Sequence, residues 1–406
     1  MLINVFLVLL VASVAYFHYV QGLFSAALSL LLAIVAAVLA VGWHEPVAQW
    51  AVDLGAADQA HALALVGLFL LIYGGLRLAY DKLVGGNVRF PVLVDKIGAA
   101  AMGLVAGMLG TGVLMVAAAA LPFGPRYGMY SRFPVTPDAE VTIKGNPQRG
   151  EQNQTRRYDQ VDHAAFIENR SESLLLPVDQ MVVGLTRALS SDSGSLSCGA
   201  PMTQVHGDYL QELFGQRLGL EPAAQHTLQP QHVKIIGLFW AAPQKQVDHE
   251  AVGMRFLKPM EPVALAREEG LLVVRVEINS AAADKDGVVR MGPGNVRLLL
   301  DVGGIRQNVF PVGTLESGRT LVLNRIDDTL FIEPGKPVDL VFRVDRQAVA
   351  DNKGILAPGL ILEIKRLTRV NLSAVEPELK VAPLVPPPAQ GGVLRKVLPG
   401  TTQPAI

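Results

Sequence analysis

The chain has 406 residues, 50% of them hydrophobic and only 17% charged, with a mean hydropathy of +0.34. Ordinary soluble proteins carry roughly 25% charged residues, so a fully water-soluble chain is excluded, and the length predicts two or three units at about 150 residues each. The residues beyond Pro122 hold 31 of the 35 Lys and Arg and 31 of the 36 Asp and Glu, so no basic excess marks a nucleic-acid partner and none is expected.

The apolar excess sits at the N-terminal end. A spanning helix needs about 20 mostly apolar residues, and four runs qualify: Leu2 to Tyr19, Leu23 to Val41, Ala62 to Leu78 and Ile97 to Leu121. The first lacks a charged n-region and no soluble stretch separates it from the second, so it is read as a retained helix rather than a signal peptide. The stretch Gly42 to His61 reads as a loop with Glu45, Asp53 and Asp58 and no Lys or Arg. Arg77, Lys82, Arg89 and Lys96 gather around the next connection. Counting Lys and Arg in short loops places that connection in the cytoplasm and both termini outside.

The fourth run carries Gly98, Gly103, Gly107 and Gly110. Gly103 and Gly107, four apart, put two missing side chains on one helix face and predict close packing with another helix, inside the bundle or in a homo-oligomer. This run offers no carboxylate or histidine to mark an ion path.

Two motifs in this region carry a resemblance: Tyr19-Val-Gln-Gly-Leu-Phe24 between the first two runs, and Asp95-Lys-Ile-Gly-Ala-Ala-Ala-Met-Gly-Leu-Val-Ala-Gly107 opening the last. Together with four spans they resemble the colicin V production protein (CvpA) family of bacterial inner-membrane proteins over about the first 125 residues. Where the family has an acidic residue near the start of the first helix, this chain has Asn4. The resemblance implies an inner-membrane envelope protein tied to toxin production or export and envelope homeostasis, in contact with membrane lipid and envelope proteins. It implies no catalysis.

Beyond the spans, residues 123–232 read as a connector with two short helices. Met181, Val182, Leu185 and Leu189 recur at helical spacing within Val178 to Leu189, and Asp208 to Leu218 offers Leu210, Leu213 and Phe214 behind a capping Asp208. From Val233 the pattern becomes β. The predicted strands are Val233–Ala241, Leu271–Ile278, Val296–Val302, Gln307–Val312, Thr320–Leu323, Thr329–Ile332, Val338–Val344 and Leu360–Leu367, separated by Gly, Pro and Asp-Gly turns. Regular short strands of this kind predict an antiparallel β-sandwich over 233–372, with some likeness to the immunoglobulin-like domains of bacterial surface lipoproteins. The Pro-rich end, 373–406, is expected to stay disordered.

The fold class expected is therefore a multidomain chain: a four-helix transmembrane bundle (1–122), a helical connector and an extracytoplasmic mainly-β sandwich. Some colicin V family members pair such a bundle with a trypsin-like protease, so a serine triad is the catalytic arrangement to look for. Ser195 and Ser197 are the candidate nucleophiles, with His163, His206, His226, His232 or His249 as base and Asp162, Asp208 or Asp248 as orienter. No Gly-x-Ser-x-Gly context surrounds either serine, and no catalytic residue is expected. The histidines lack His-x-x-x-His spacing. With Cys198 the single cysteine, no intramolecular disulfide or Cys-rich zinc site forms. Asp284-Lys-Asp286-Gly287 reads as a turn rather than a calcium loop, because no glutamate closes it. Neither metal nor cofactor is expected.

Overall fold

A computed structural model of the chain describes residues 2–54, 59–83, 90–121, 174–190, 206, 209–215, 228–241, 265, 268–302, 305–316, 320–324, 329–351, 354–365 and 368–375, with isolated strand segments at 126–127, 130–131, 140–143, 154–157, 245–249, 257–260, 381–382 and 393–394. It separates into two compact units, residues 1–132 with 172–214, and residues 133–171 with 215–406. The connector is thus no domain of its own. Residues 123–132 and 172–214 group with the membrane helices, and 133–171 and 215–232 with the β-rich unit.

In the first unit, four helices are long and apolar enough to cross a membrane: α1 (Leu2–Gln21), α2 (Leu23–Asp53), α3 (Ala60–Leu83) and α4 (Val92–Ala120). Leu, Ala and Val dominate all four, and large side chains such as Phe6, Leu9, Leu70 and Leu71 stay exposed, as they must where the solvent is lipid. Gly22 ends α1 with a φ of 100°, a left-handed conformation that only glycine adopts without strain, and α2 starts one residue later. At 31 residues α2 is about 46 Å long at 1.5 Å per residue, well beyond a hydrocarbon core of about 30 Å. The loop expected at Gly42 to His61 is corrected accordingly, for the helix continues through Pro46 to Asp53. After α4, β1 (Arg126–Tyr127) pairs with β2 (Tyr130–Ser131).

Two further helices complete this unit, α5 (Val178–Ser190) and α6 (Tyr209–Gly215), close to the predicted spans. α5 is amphipathic. Val182 and Val183 of α5 and Tyr209, Leu210 and Leu213 of α6 join one apolar cluster with Ala37 and Val41 of α2, Leu65 of α3 and Val113 and Val116 of α4. Gly112 of α4 makes this approach feasible, since a Cβ there would overlap the Val178 carbonyl oxygen.

The second unit opens with the hairpin of β3 (Glu140–Ile143) and β4 (Gln154–Arg157). The strands that follow are β5 (Val233–Ala241), β6 (Lys245–His249), β7 (Leu257–Met260), β8 (Glu269–Ile278), β9 (Val289–Met291), β10 (Val296–Val302), β11 (Ile305–Val309), β12 (Pro311–Glu316), β13 (Thr320–Leu323), β14 (Leu330–Ile332), β15 (Pro337–Asp345), β16 (Ile361–Ile364), β17 (Thr368–Asn371), β18 (Val381–Ala382) and β19 (Val393–Leu394). They form an eight-stranded sheet in the order β18-β5-β8-β15-β12-β13-β6-β7, a four-stranded sheet β11-β10-β16-β17 and a three-stranded sheet β19-β14-β9. None closes into a barrel. Val274, Val276, Leu340 and Phe342 of the large sheet, Leu298 and Leu362 of the second and Met291 and Ile332 of the third share one buried core. Each such side chain contributes roughly 1.5–3 kcal/mol on burial.

Three details correct the sequence reading. The pairs β13 with β6 and β18 with β5 run parallel, so the large sheet is not wholly antiparallel. The run Leu360–Leu367 is not one strand: Lys365, with a φ of 49°, turns β16 back into the partner strand β17. Within the tail from residue 373, expected to be disordered throughout, β18 and β19 add to sheet edges. Their valines and leucine have β propensity that the surrounding prolines masked.

Candidate functional site

The most polar interior of the first unit lies where the C-terminal part of α2 meets the start of α3 and α6. His44, His61, His206, Tyr209 and Glu212 are all buried there. About 20 residues along α2 from Leu23, the length that spans the hydrocarbon, bring the chain to Trp43 and His44, and Trp43 and Trp50 are exposed. Exposed tryptophans at that depth are the usual mark of a membrane–water boundary. The cluster therefore sits at the edge of the apolar slab, where polar side chains from the arm made by α5, His206 and α6 can reach it.

His206 stands between two carboxylates, with Nε2 2.8 Å from Glu45 Oε1 and Nδ1 2.6 Å from Glu212 Oε2. Burial works against a charged ring, but the two carboxylates outweigh it and raise the His206 pKa from 6.5 to about 9. Beside it, Tyr209 packs edge-on against the His206 ring at 4.9 Å between centroids. The Tyr209 hydroxyl lies 2.7 Å from His44 Nε2, and His44 Nδ1 lies 2.8 Å from the Val41 carbonyl oxygen. A carbonyl only accepts, so His44 Nδ1 donates to Val41. His61 stacks edge-on to His44 at 5.7 Å. From the arm, Arg187 Nη2 donates to the His206 carbonyl at 3.5 Å.

The opposite end of the bundle holds a second polar arrangement, and it joins the two sequence motifs. Asp95 Oδ1 accepts the Leu23 backbone N–H at 2.9 Å, capping α2. Lys96 Nζ donates to the carbonyls of Tyr19 at 3.0 Å and Val20 at 3.3 Å, closing the last turn of α1, and lies over the Tyr19 ring. A Cβ on Gly22 would stand 3.0 Å from Asp95 Oδ2. Arg77 donates to Ser29 Oγ at 2.9 Å and Ser25 Oγ at 3.2 Å and pairs with Asp81. Lys82 lies in the last turn of α3, and Arg89 lies outside the described residues.

The four singled-out glycines of α4 meet different neighbours. A Cβ at Gly98 would be 2.7 Å from Leu23 Cδ1, one at Gly103 2.6 Å from His18 Cβ and one at Gly107 3.1 Å from Val14 Cβ; at Gly110 the nearest atom is Phe69 Cζ at 3.8 Å. The Gly103 and Gly107 face is thus filled by α1 of the same chain. Asn4 Oδ1 accepts the Leu175 N–H at 3.3 Å.

Of the triad candidates, Ser195, Ser197, His163, His226, Asp162 and Asp208 lie outside the described residues, as does Cys198. Asp248 and His249 are on β6, and His232 lies in the turn before β5. His206 is engaged by glutamates, and a ring protonated at neutral pH has no lone pair with which to accept a serine proton. In the calcium-like turn, Arg290 binds both Asp284, at 3.0 Å, and Asp286, and its guanidinium holds the Asp286 carboxyl below its usual pKa. Among the described residues no group of three His, Cys, Asp or Glu is arranged to hold a metal ion.

Sequence reasoning named His206 only as a candidate base and counted Glu45 only as a loop acid. It missed His44, His61, Tyr209 and Glu212. The available signal was His44-Glu45 at the end of an apolar run, because a carboxylate at that depth needs a partner.

No curated protein and no solved structure matches the chain. Residues 3–131 match the family model of the Colicin V production protein, and the match coincides with the four apolar helices on which both polar arrangements are built.

Proposed function

We propose that this chain is a multipass inner-membrane protein of the bacterial envelope that presents its β-rich unit outside the cytoplasm as a scaffold for protein partners, in toxin production or export and envelope homeostasis. The observation that carries this reading is the arm, residues 174–190 with His206 and α6. Polypeptide that follows the last span folds back into the apolar cluster of the bundle through Val182, Val183, Tyr209, Leu210 and Leu213. Among the described residues no further helix is long and apolar enough to return the chain across the membrane. The matched family is not a known family of enzymes.

Photo-crosslinking in cells from positions in 233–372 tests the proposal. Envelope proteins crosslinked reproducibly there, and loss of the cellular phenotype on deleting that region, are the expected outcomes. A region without envelope partners whose deletion changes nothing would overturn it.

A channel or export component is the second reading, favoured by the buried His18, His44 and His61 in α1, α2 and α3. Ion flux through purified protein in vesicles would support that reading against the scaffold. An oligomer behind it would use a face other than the Gly103 and Gly107 stripe.

A further inference from the structure

The arm meets the membrane helices through a bond set that depends on one proton. A neutral imidazole has a single N–H and can donate to one carboxylate only; the other would face a ring lone pair at hydrogen-bond distance. With Glu45 Oε1 at 2.8 Å from Nε2 and Glu212 Oε2 at 2.6 Å from Nδ1, and both carboxyls ionised, the imidazolium is the form that satisfies both contacts. Glu212 travels with His206 in the arm, whereas Glu45 belongs to α2. Without the ring's positive charge, a carboxylate of the arm and one of α2 flank a neutral imidazole that can donate to only one of them, which weakens the link between arm and bundle.

We propose that His206 is a proton-dependent latch that fastens α6 to α2 through Glu45 and releases it when the ring becomes neutral. Every element packed on the ring contributes to its setting. α2 supplies Glu45, and His44 through Tyr209; α6 supplies Glu212 and Tyr209; α5 supplies Arg187, which meets the His206 carbonyl; α3 supplies His61 against His44. Both carboxylates favour the proton, and burial of the ring opposes it. Because the folded ring holds its proton up to about pH 9, against 6.5 for a free histidine, the latch is fully closed below pH 6.5 and through neutrality and is lost as pH rises past about 9. On the acid side it weakens only as the carboxylates themselves take up protons.

The test uses the full chain in nanodiscs of phosphatidylcholine and phosphatidylglycerol, with Cys198→Ser and nitroxide labels at Trp50→Cys on α2 and Gln211→Cys on α6. Pulsed electron–electron distance measurement should give one narrow distribution from pH 6 to 8 and a broad, longer one above a midpoint near 9. Adding Glu45→Gln should lower that midpoint by at least one pH unit, and His206→Gln should give the broad distribution already at pH 7. A distribution unchanged from pH 7 to 10.5, or a midpoint that Glu45→Gln leaves in place, would overturn the latch. Should His206→Gln fail to insert, the pH series and Glu45→Gln still decide.

Discussion

Gly103 and Gly110 are both small residues on α4, yet the structure gives them different duties. A side chain at Gly103 would collide with His18 Cβ at 2.6 Å and the Ala15 backbone at 3.1 Å, while at Gly110 it would meet Phe69 in ordinary contact at 3.8 Å. Backbone atoms cannot swing aside, so Gly103→Val should force α1 away from α4 and cost about 1–3 kcal/mol or more, the usual range for overpacking. Gly110→Ala should stay within about 0.5 kcal/mol of the parent. Thermal unfolding of both variants in one detergent gives the comparison, and equal shifts would contradict this account. The Gly-x-x-x-Gly spacing made a close helix approach readable in the sequence. It did not say which helix approaches, because a stripe of missing side chains accepts α1 or a second copy equally well.

Burial of charge in the β-rich unit was hidden for the same reason. In β8 the alternation of Val274, Val276 and Ile278 with Arg275 and Glu277 reads as one face in and one face out. Arg275 is nonetheless buried, donating through Nε and Nη2 to the two Asp339 oxygens at 2.6 Å each from the directly opposite position on β15. Arg297 and Glu363 repeat the device across β10 and β16, both nearly inaccessible, with Arg369 as a third member. Partners 60 or more residues apart leave no trace in local periodicity.

At the scale of elements, apolar length alone located the four spanning helices, because lipid selects for it so strongly. The end of α2 escaped that criterion. Gly42, His44, Glu45 and Pro46 read as a loop, and proline inside a helix ordinarily costs about 3 kcal/mol. What keeps the helix intact lies far away in sequence: His206 and Tyr209 take up Glu45 and His44, and α5 and α6 cover Val41. The turn between α1 and α2 shows the converse, since both of its motifs were visible but not the bond between them. Asp95 supplies the acceptor for the Leu23 N–H, so Asp95→Ala should cost about 1 kcal/mol, the typical value of an N-cap. Lys96→Met leaves carbonyls that water or headgroups can satisfy at an exposed site, and should cost a few tenths of a kcal/mol. Chemical unfolding of the two variants side by side checks the order, and Lys96→Met as the more damaging change would contradict the assignment.

For the whole molecule the outstanding quantity is orientation, and the two polar arrangements of the bundle make it measurable. Arg77, Lys82 and Lys96 lie at the end where α1 turns into α2 and α3 finishes. Leu175, bonded to Asn4 near the start of α1, lies at the other. Cations near short loops stay on the cytoplasmic side because moving them outward opposes both the membrane potential and the anionic inner leaflet. A chain inserted by that rule exposes Leu175 to the outside and Lys82 to the cytoplasm. With Cys198→Ser as background, Leu175→Cys, at a position 70% exposed, should react with a membrane-impermeant maleimide in intact spheroplasts. Lys82→Cys should react only after lysis. The reversed pattern would put the arm and everything that follows it inside the cell, and the scaffold reading would fall with it, whereas the His206 latch, which depends only on local geometry, would stand.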